Sequence, residues 1–88
     1  MEEWLKQMGS ASGELWKVFK NFAQNAEPSN QSWWDSFAAA MEEASRKYFG
    51  TEVEIYVRDY ALALMVEMER KTTGRQIKPR ERKGNTNE

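Results

Sequence analysis

Apolar side chains recur every three or four positions along most of this 88-residue chain. That spacing places them on one face of an α-helix. Turn-forming residues interrupt the pattern at residues 27–31, which include Pro28, and again at Gly50. The sequence therefore predicts an all-α fold, a small three-helix bundle with helices over about residues 2–26, 33–49 and 52–71. These helices form one domain over residues 1–71.

Each predicted helix carries one apolar stripe that we expect to face the core. The chain has four Trp, three Tyr and four Phe, which supply the large buried area that so short a chain needs. The stripes consist of Trp4, Met8, Ala11, Leu15, Phe19, Phe22 and Ala26 in the first helix; Trp34, Phe37, Ala38, Met41, Ala44, Ser45 and Tyr48 in the second; and Val53, Tyr56, Val57, Tyr60, Ala61, Leu64 and Met68 in the third.

Two glycines leave two interpretations of the first segment. Gly9 and Gly13 are poor helix formers, and a break between them would give a four-helix bundle with a helix starting near Ser12. The apolar stripe stays in phase across both glycines, which favours one continuous or bent helix.

Capping residues indicate where the other two helices begin. Ser32 followed by Asp35 is typical of a helix N-terminus, and Thr51 with Glu54 forms a Thr-x-x-Glu capping box. The alternation of apolar residues in 51–57 would also fit a β-strand. The chain offers no clear partner strand, so the helix is the favoured interpretation.

Charge is distributed unevenly along the chain. Residues 1–69 contain twelve Asp/Glu and six Lys/Arg, whereas residues 70–88 contain seven Lys/Arg and two Asp/Glu. The composition of residues 72–88 predicts a disordered basic tail. Such a tail can neutralise phosphates, bind an acidic protein or merely aid solubility. The candidate nucleic-acid-binding residues are Arg75, Lys78, Arg80, Arg82 and Lys83.

Several residue types needed for catalysis are absent. The chain contains no cysteine and no histidine, which removes thiolate nucleophiles, the commonest general base and the commonest zinc ligand. Five of the fourteen carboxylates precede a basic residue by four positions, the spacing of surface ion pairs. We expect no enzymatic activity, cofactor, metal or small-molecule substrate. The acidic N-terminus and the short apolar stretches predict a cytoplasmic protein without a membrane span.

Two groups of side chains are candidates for binding a protein partner. Trp33 and Trp34 are adjacent, about 100° apart on a helix, so a narrow core stripe cannot bury both. Either one is core and the other packs under the preceding turn, or one is an exposed interface anchor. The third helix has a second apolar stripe. It consists of Ile55, Leu62 and Val66, with Asp59 in the same stripe.

Two segments resemble a known group of proteins. They are the aromatic stretch at residues 33–37 leading to Lys47-Tyr48-Phe49, and the apolar helix from Tyr60 that ends in Glu69-Arg70-Lys71. Over residues 33–71 this plan is similar to small uncharacterised helical proteins of Firmicutes prophages and other mobile elements. The resemblance implies a role in phage–host conflict or phage gene control, where small acidic proteins inhibit larger host proteins in the manner of anti-CRISPR proteins.

These observations lead to three functional hypotheses. The first is a non-enzymatic regulator or inhibitor that binds a larger protein, such as a host nucleic-acid-handling protein. The second is a DNA- or RNA-binding accessory protein that uses the basic tail. The third is a helical homodimer whose seam is the second apolar stripe of the third helix.

Overall fold

Three α-helices make up nearly all of the computed structural model, which describes residues 2–73. They are α1 (Glu3–Gln24), α2 (Gln31–Arg46) and α3 (Glu54–Thr73). This part of the chain has no β-strand, so the all-α three-helix prediction is confirmed. The helix α3 continues two residues beyond its predicted end. No helix within residues 2–73 combines the length and apolar character needed to cross a lipid bilayer.

The first helix is continuous, and the four-helix alternative is therefore wrong. A Cβ atom built on Gly9 or Gly13 would meet no other atom within 4 Å, so both glycines face open space rather than a neighbouring helix. On the opposite side of α1, Ala11 and Leu15 are fully buried against α2 and α3. Packing of this apolar face offsets the cost of two glycines in a helix interior, about 1 kcal/mol each.

The core contains a cluster of aromatic rings where α1 meets α2. Phe22 of α1 lies 5.4 Å from Phe37 and 6.2 Å from Trp33 between ring centroids. Trp33 and Phe37 stack on each other at 5.9 Å, one helical turn apart. From α3, Val57 and Met68 are buried in the same core. Three helices of modest length therefore hold together around a few large side chains.

The second helix begins two residues earlier than its sequence predicts. Asn30, not Ser32, is the N-cap: its side-chain oxygen accepts hydrogen bonds from the backbone N–H groups of Ser32 at 2.8 Å and Trp33 at 3.3 Å. Asp35 binds the side chain of Gln31 instead of completing a capping box. The turn that contains Pro28 leaves Asn30 extended, the backbone conformation that an N-cap needs.

Replacing Asn30 with alanine should lower the free energy of unfolding by about 1 kcal/mol, since two backbone N–H groups lose their acceptor. Ser32→Ala is the matched control, because the hydroxyl of Ser32 caps nothing and its loss should cost no more than about 0.5 kcal/mol. Urea unfolding followed by circular dichroism measures both. A larger loss for Ser32→Ala than for Asn30→Ala would contradict the observed cap.

The connection between α2 and α3 is a turn, which overturns the strand alternative for residues 51–57. The helix α2 ends at Arg46, three residues before its predicted end, and Gly50 has a φ of 83°, a conformation that favours glycine. The predicted capping box does not form, because α3 begins at Glu54. The carboxylate of Glu54 instead accepts from Gly50 N–H at 2.9 Å, and Thr51 Oγ1 accepts from Val53 N–H at 3.3 Å.

Polar contacts tie α1 to the two other helices. Lys47, just after α2, forms an ion pair with Glu14 of α1 at 2.9 Å, and this hydrogen-bonded carboxylate raises the pKa of the lysine. On the other side of α1, the hydroxyls of Ser12 and Tyr56 share a hydrogen bond. No hydrogen bond or ion pair of this kind joins α2 to α3 within residues 2–73. These two helices also pack more closely on α1 than on each other.

Candidate partner-binding surface

An open groove runs between α2 and α3 on the side facing away from α1. One half, near Trp34 and Pro28, has a volume of about 590 Å³, and the other, near Phe49, about 320 Å³. Ala38 and Met65 line both halves, so the two form one continuous groove. We call it the α2–α3 groove.

Small side chains keep this groove open. Ala38 on α2 and Ala61 on α3 leave space where larger residues would bring the helices together. The floor is apolar and includes Phe37 and Met41, which are both 1% exposed. Along α3 the groove extends from Arg58 to Thr73, about 22 Å at 1.5 Å per residue. Its length suits a helix of about fifteen residues.

The rim of the groove is mainly acidic. Asp35 and Glu42 lie on the α2 side, and Glu69 lies on the α3 side. Two charged groups of the rim are already paired: the basic residue Arg58 with Glu54 at 3.4 Å, and Glu42 with Arg46 at 3.2 Å. Over residues 2–73 the chain carries twelve Asp/Glu and eight Lys/Arg, so this part of the chain is net negative as well. The groove therefore favours an apolar partner with positive charges along its edges.

Trp34 forms one end of the groove, and Trp33 lies beneath it. Trp33 is only 8% exposed and packs among Phe22, Trp34 and Phe37, which leaves little surface for a partner. Trp34 is half-buried, and its indole N–H donates to the carbonyl oxygen of Pro28 at 2.8 Å. Of the two alternatives that the sequence left open, the structure therefore shows the first, in which one tryptophan is in the core and the other packs on the preceding turn. Of the two candidates, Trp34 is thus the one that lines an accessible surface.

The second apolar stripe of α3 lies on the outside of the molecule. Ile55 is 63% exposed and Leu62 is 61% exposed, and Asp59 is exposed between them. Val66 is half-buried, and both Leu62 and Val66 also lie at the edge of the α2–α3 groove. We call the surface formed by Ile55, Asp59, Leu62, Val66 and Arg70 the outer face of α3. The predicted nucleic-acid-binding residues lie outside the described part of the chain: they are Arg75, Lys78, Arg80, Arg82 and Lys83.

Sequence reasoning missed three residues of the groove: Ala38, Met65 and Phe49. Ala38 was predicted to face the core but is exposed, because α2 buries Trp33, Phe37 and Met41 and so turns Ala38 outward. Phe49 is 47% exposed because α2 ends before it. The sequence does contain a signal for a second packing surface. Apolar residues flank the core stripe of α3 on both sides, as Leu62 and Met65 do.

One tightly bound ion-pair cluster stabilises the C-terminal part of α3. Glu67 accepts hydrogen bonds from Lys71 and, at 2.8 Å, from Arg70, and these contacts lower the pKa of the Glu67 carboxyl group. No group of three or more acidic residues within residues 2–73 is arranged to hold a metal ion.

Comparison of the chain with protein-family models, with characterised proteins and with solved structures returns no match. The fold defines the protein as a small three-helix bundle.

Proposed function

We propose that this protein is a non-enzymatic regulator or inhibitor that acts inside the cell by binding a larger protein. The observation that carries this proposal is the α2–α3 groove, which is open, apolar along its floor and acidic along its rim. An amphipathic helix laid in such a groove buries its apolar face, while flanking lysines and arginines meet the carboxylates.

The charge of the rim suggests the class of partner. Proteins that handle nucleic acids present basic helices and channels to phosphate groups, and a basic helix of this kind complements the acidic rim, where Asp35 has no ion pair within residues 2–73. A small acidic protein bound there would compete with the nucleic acid for the same positive surface. This mode of action agrees with the prophage context that the resemblance implies, with a host nucleic-acid-handling protein as target.

An affinity capture from bacterial lysate tests this function. The tagged full-length protein is used as bait with and without nuclease, and the retained proteins are identified by mass spectrometry. A second bait carries glutamine in place of Arg75, Lys78, Arg80, Arg82 and Lys83, which removes the positive charge of the C-terminal segment but keeps its length.

We expect one host protein to be retained by both baits and to survive nuclease, because the groove and its rim are unchanged. The same protein should then bind the bait when both are purified. Loss of all retained proteins with nuclease, or with the glutamine bait alone, would contradict the proposal and favour nucleic-acid binding by the basic segment.

A further inference from the structure

Four side chains on the outer face of α3, Asp59, Leu62, Val66 and Arg70, have an order that matches itself when reversed. Along the helix, Ile55, Asp59, Leu62, Val66 and Arg70 follow each other at intervals of four, three, four and four residues, which keeps them on one face. An acidic residue stands toward one end, a basic residue toward the other, and apolar residues between. We propose that this face binds a second copy of the same chain, with the two α3 helices antiparallel.

A two-fold axis through the middle of this face places opposite charges of the two copies next to each other. The midpoint between Asp59 and Arg70 falls within one residue of the midpoint between Leu62 and Val66, so a single axis serves both pairs. Each Asp59 then lies opposite Arg70 of the other copy, and each Leu62 lies opposite Val66. A parallel pair would place Asp59 against Asp59 and Arg70 against Arg70, which like-charge repulsion disfavours.

The polar groups on this face have capacity for such contacts. Asp59 makes no hydrogen bond or ion pair within residues 2–73. Arg70 uses Nη1 to bind Glu67 at 2.8 Å, which leaves Nη2 without an acceptor in residues 2–73, whereas Nε is buried and out of reach of a second copy. The side chain of Arg70 is 31% exposed, so a carboxylate from outside can reach the guanidinium group.

The apolar groups give the contact its driving force. Leu62 exposes about three fifths of its surface at the centre of the contact, and Ala63 beside it leaves a shallow depression that a larger side chain can enter. Ile55 is equally exposed but lies outside the paired region, because the same axis places it opposite the end of α3. A single helix pair buries less than the roughly 800 Å² per partner of a standard stable interface. The dimer is therefore reversible, and its population rises with protein concentration.

Charge reversal tests both the dimer and its antiparallel register. The full-length protein is compared with Asp59→Arg, Arg70→Asp and the double variant Asp59→Arg/Arg70→Asp by sedimentation equilibrium over a range of concentrations. Each single change sets like charges against each other and should raise the dissociation constant about tenfold or more. The double variant restores opposite charges and should return the dissociation constant to within about threefold of the original value.

The comparison separates dimerisation from folding. The ion pair between Arg70 and Glu67 is lost both in Arg70→Asp and in the double variant. A dissociation constant that recovers in the double variant therefore reports the contact between copies and not this ion pair. Circular dichroism checks that all four proteins are helical. Leu62→Glu should also give monomers. A protein that stays monomeric up to about 1 mM would overturn the dimer. A double variant as monomeric as the single variants would overturn the antiparallel register.

This inference does not rest on the proposed function. Leu62 and Val66 also line the α2–α3 groove, so the two proposals are separated by residues that belong to one surface alone: Ala38 for the groove, and Asp59 and Arg70 for the outer face of α3.

Discussion

Replacing Phe37 with alanine is expected to lower the free energy of unfolding by about 3–5 kcal/mol. The ring of Phe37 is 1% exposed and lies within 6.5 Å of the rings of Phe22, Trp33 and Trp34. Its removal leaves a cavity at the junction of α1 and α2. A domain of this size has about 5–10 kcal/mol of stability in total, so the variant should be close to unfolding at room temperature.

Phe49→Ala is the matched control for this change. Phe49 is 47% exposed at the end of the groove, so the same truncation should cost less than about 1 kcal/mol. Urea unfolding followed by circular dichroism compares the two variants with the parent protein. If Phe37→Ala does not fold at all, Phe37→Leu gives a smaller, measurable loss of about 1 kcal/mol. Equal losses for Phe37→Ala and Phe49→Ala would contradict the placement of Phe37 at the centre of the core.

The apolar periodicity predicted the helices and most of the core, because a helix buries whichever face repeats at three and four residues. Leu15, Val57 and Met68 lie where the pattern placed them. In α2 the pattern placed Trp34 in the core stripe, but Trp33 is the buried tryptophan, at 8% exposed, and Trp34 is half-buried. Trp33 is buried because it packs on Phe22 of another helix, and that contact is a property of the tertiary structure.

The groove could not be predicted from the sequence for a related reason. Whether two helices are in contact or separated by a groove depends on how both pack against a third helix. Here α2 and α3 each pack more closely on α1 than on each other. The sequence did contain the signal that Ile55 and Leu62 lie outside the core stripe, and both are exposed. Their role in binding remains a prediction that the charge-reversal experiment addresses.

The predicted ends of the helices were also inaccurate. Asn30 and Ser32 are equally good caps by residue type, and the turn before them selects Asn30.

Ala38→Arg is expected to weaken binding in the groove about tenfold or more, which corresponds to about 1.4 kcal/mol. The probes are two designed helical peptides of about fifteen residues that share an apolar stripe and differ only in flanking lysines or glutamates. The parent protein should bind the lysine peptide more tightly, because the rim is acidic, and this preference should decrease with added salt. Isothermal titration calorimetry measures each dissociation constant.

Ala39→Arg provides a control that matches the change of charge. Ala38 and Ala39 are both exposed on α2, and each lies within one helical turn of Asp35 and Glu42, so arginine at either position weakens the negative rim to a similar extent. Only Ala38 lines the groove, where the longer side chain also occupies the space meant for the partner helix. Ala39→Arg should therefore retain most of the affinity. Equal affinities of Ala38→Arg and Ala39→Arg for the lysine peptide would show that the peptide does not enter the groove. Equal binding of the lysine and glutamate peptides to the parent protein would show that the rim does not select a basic partner.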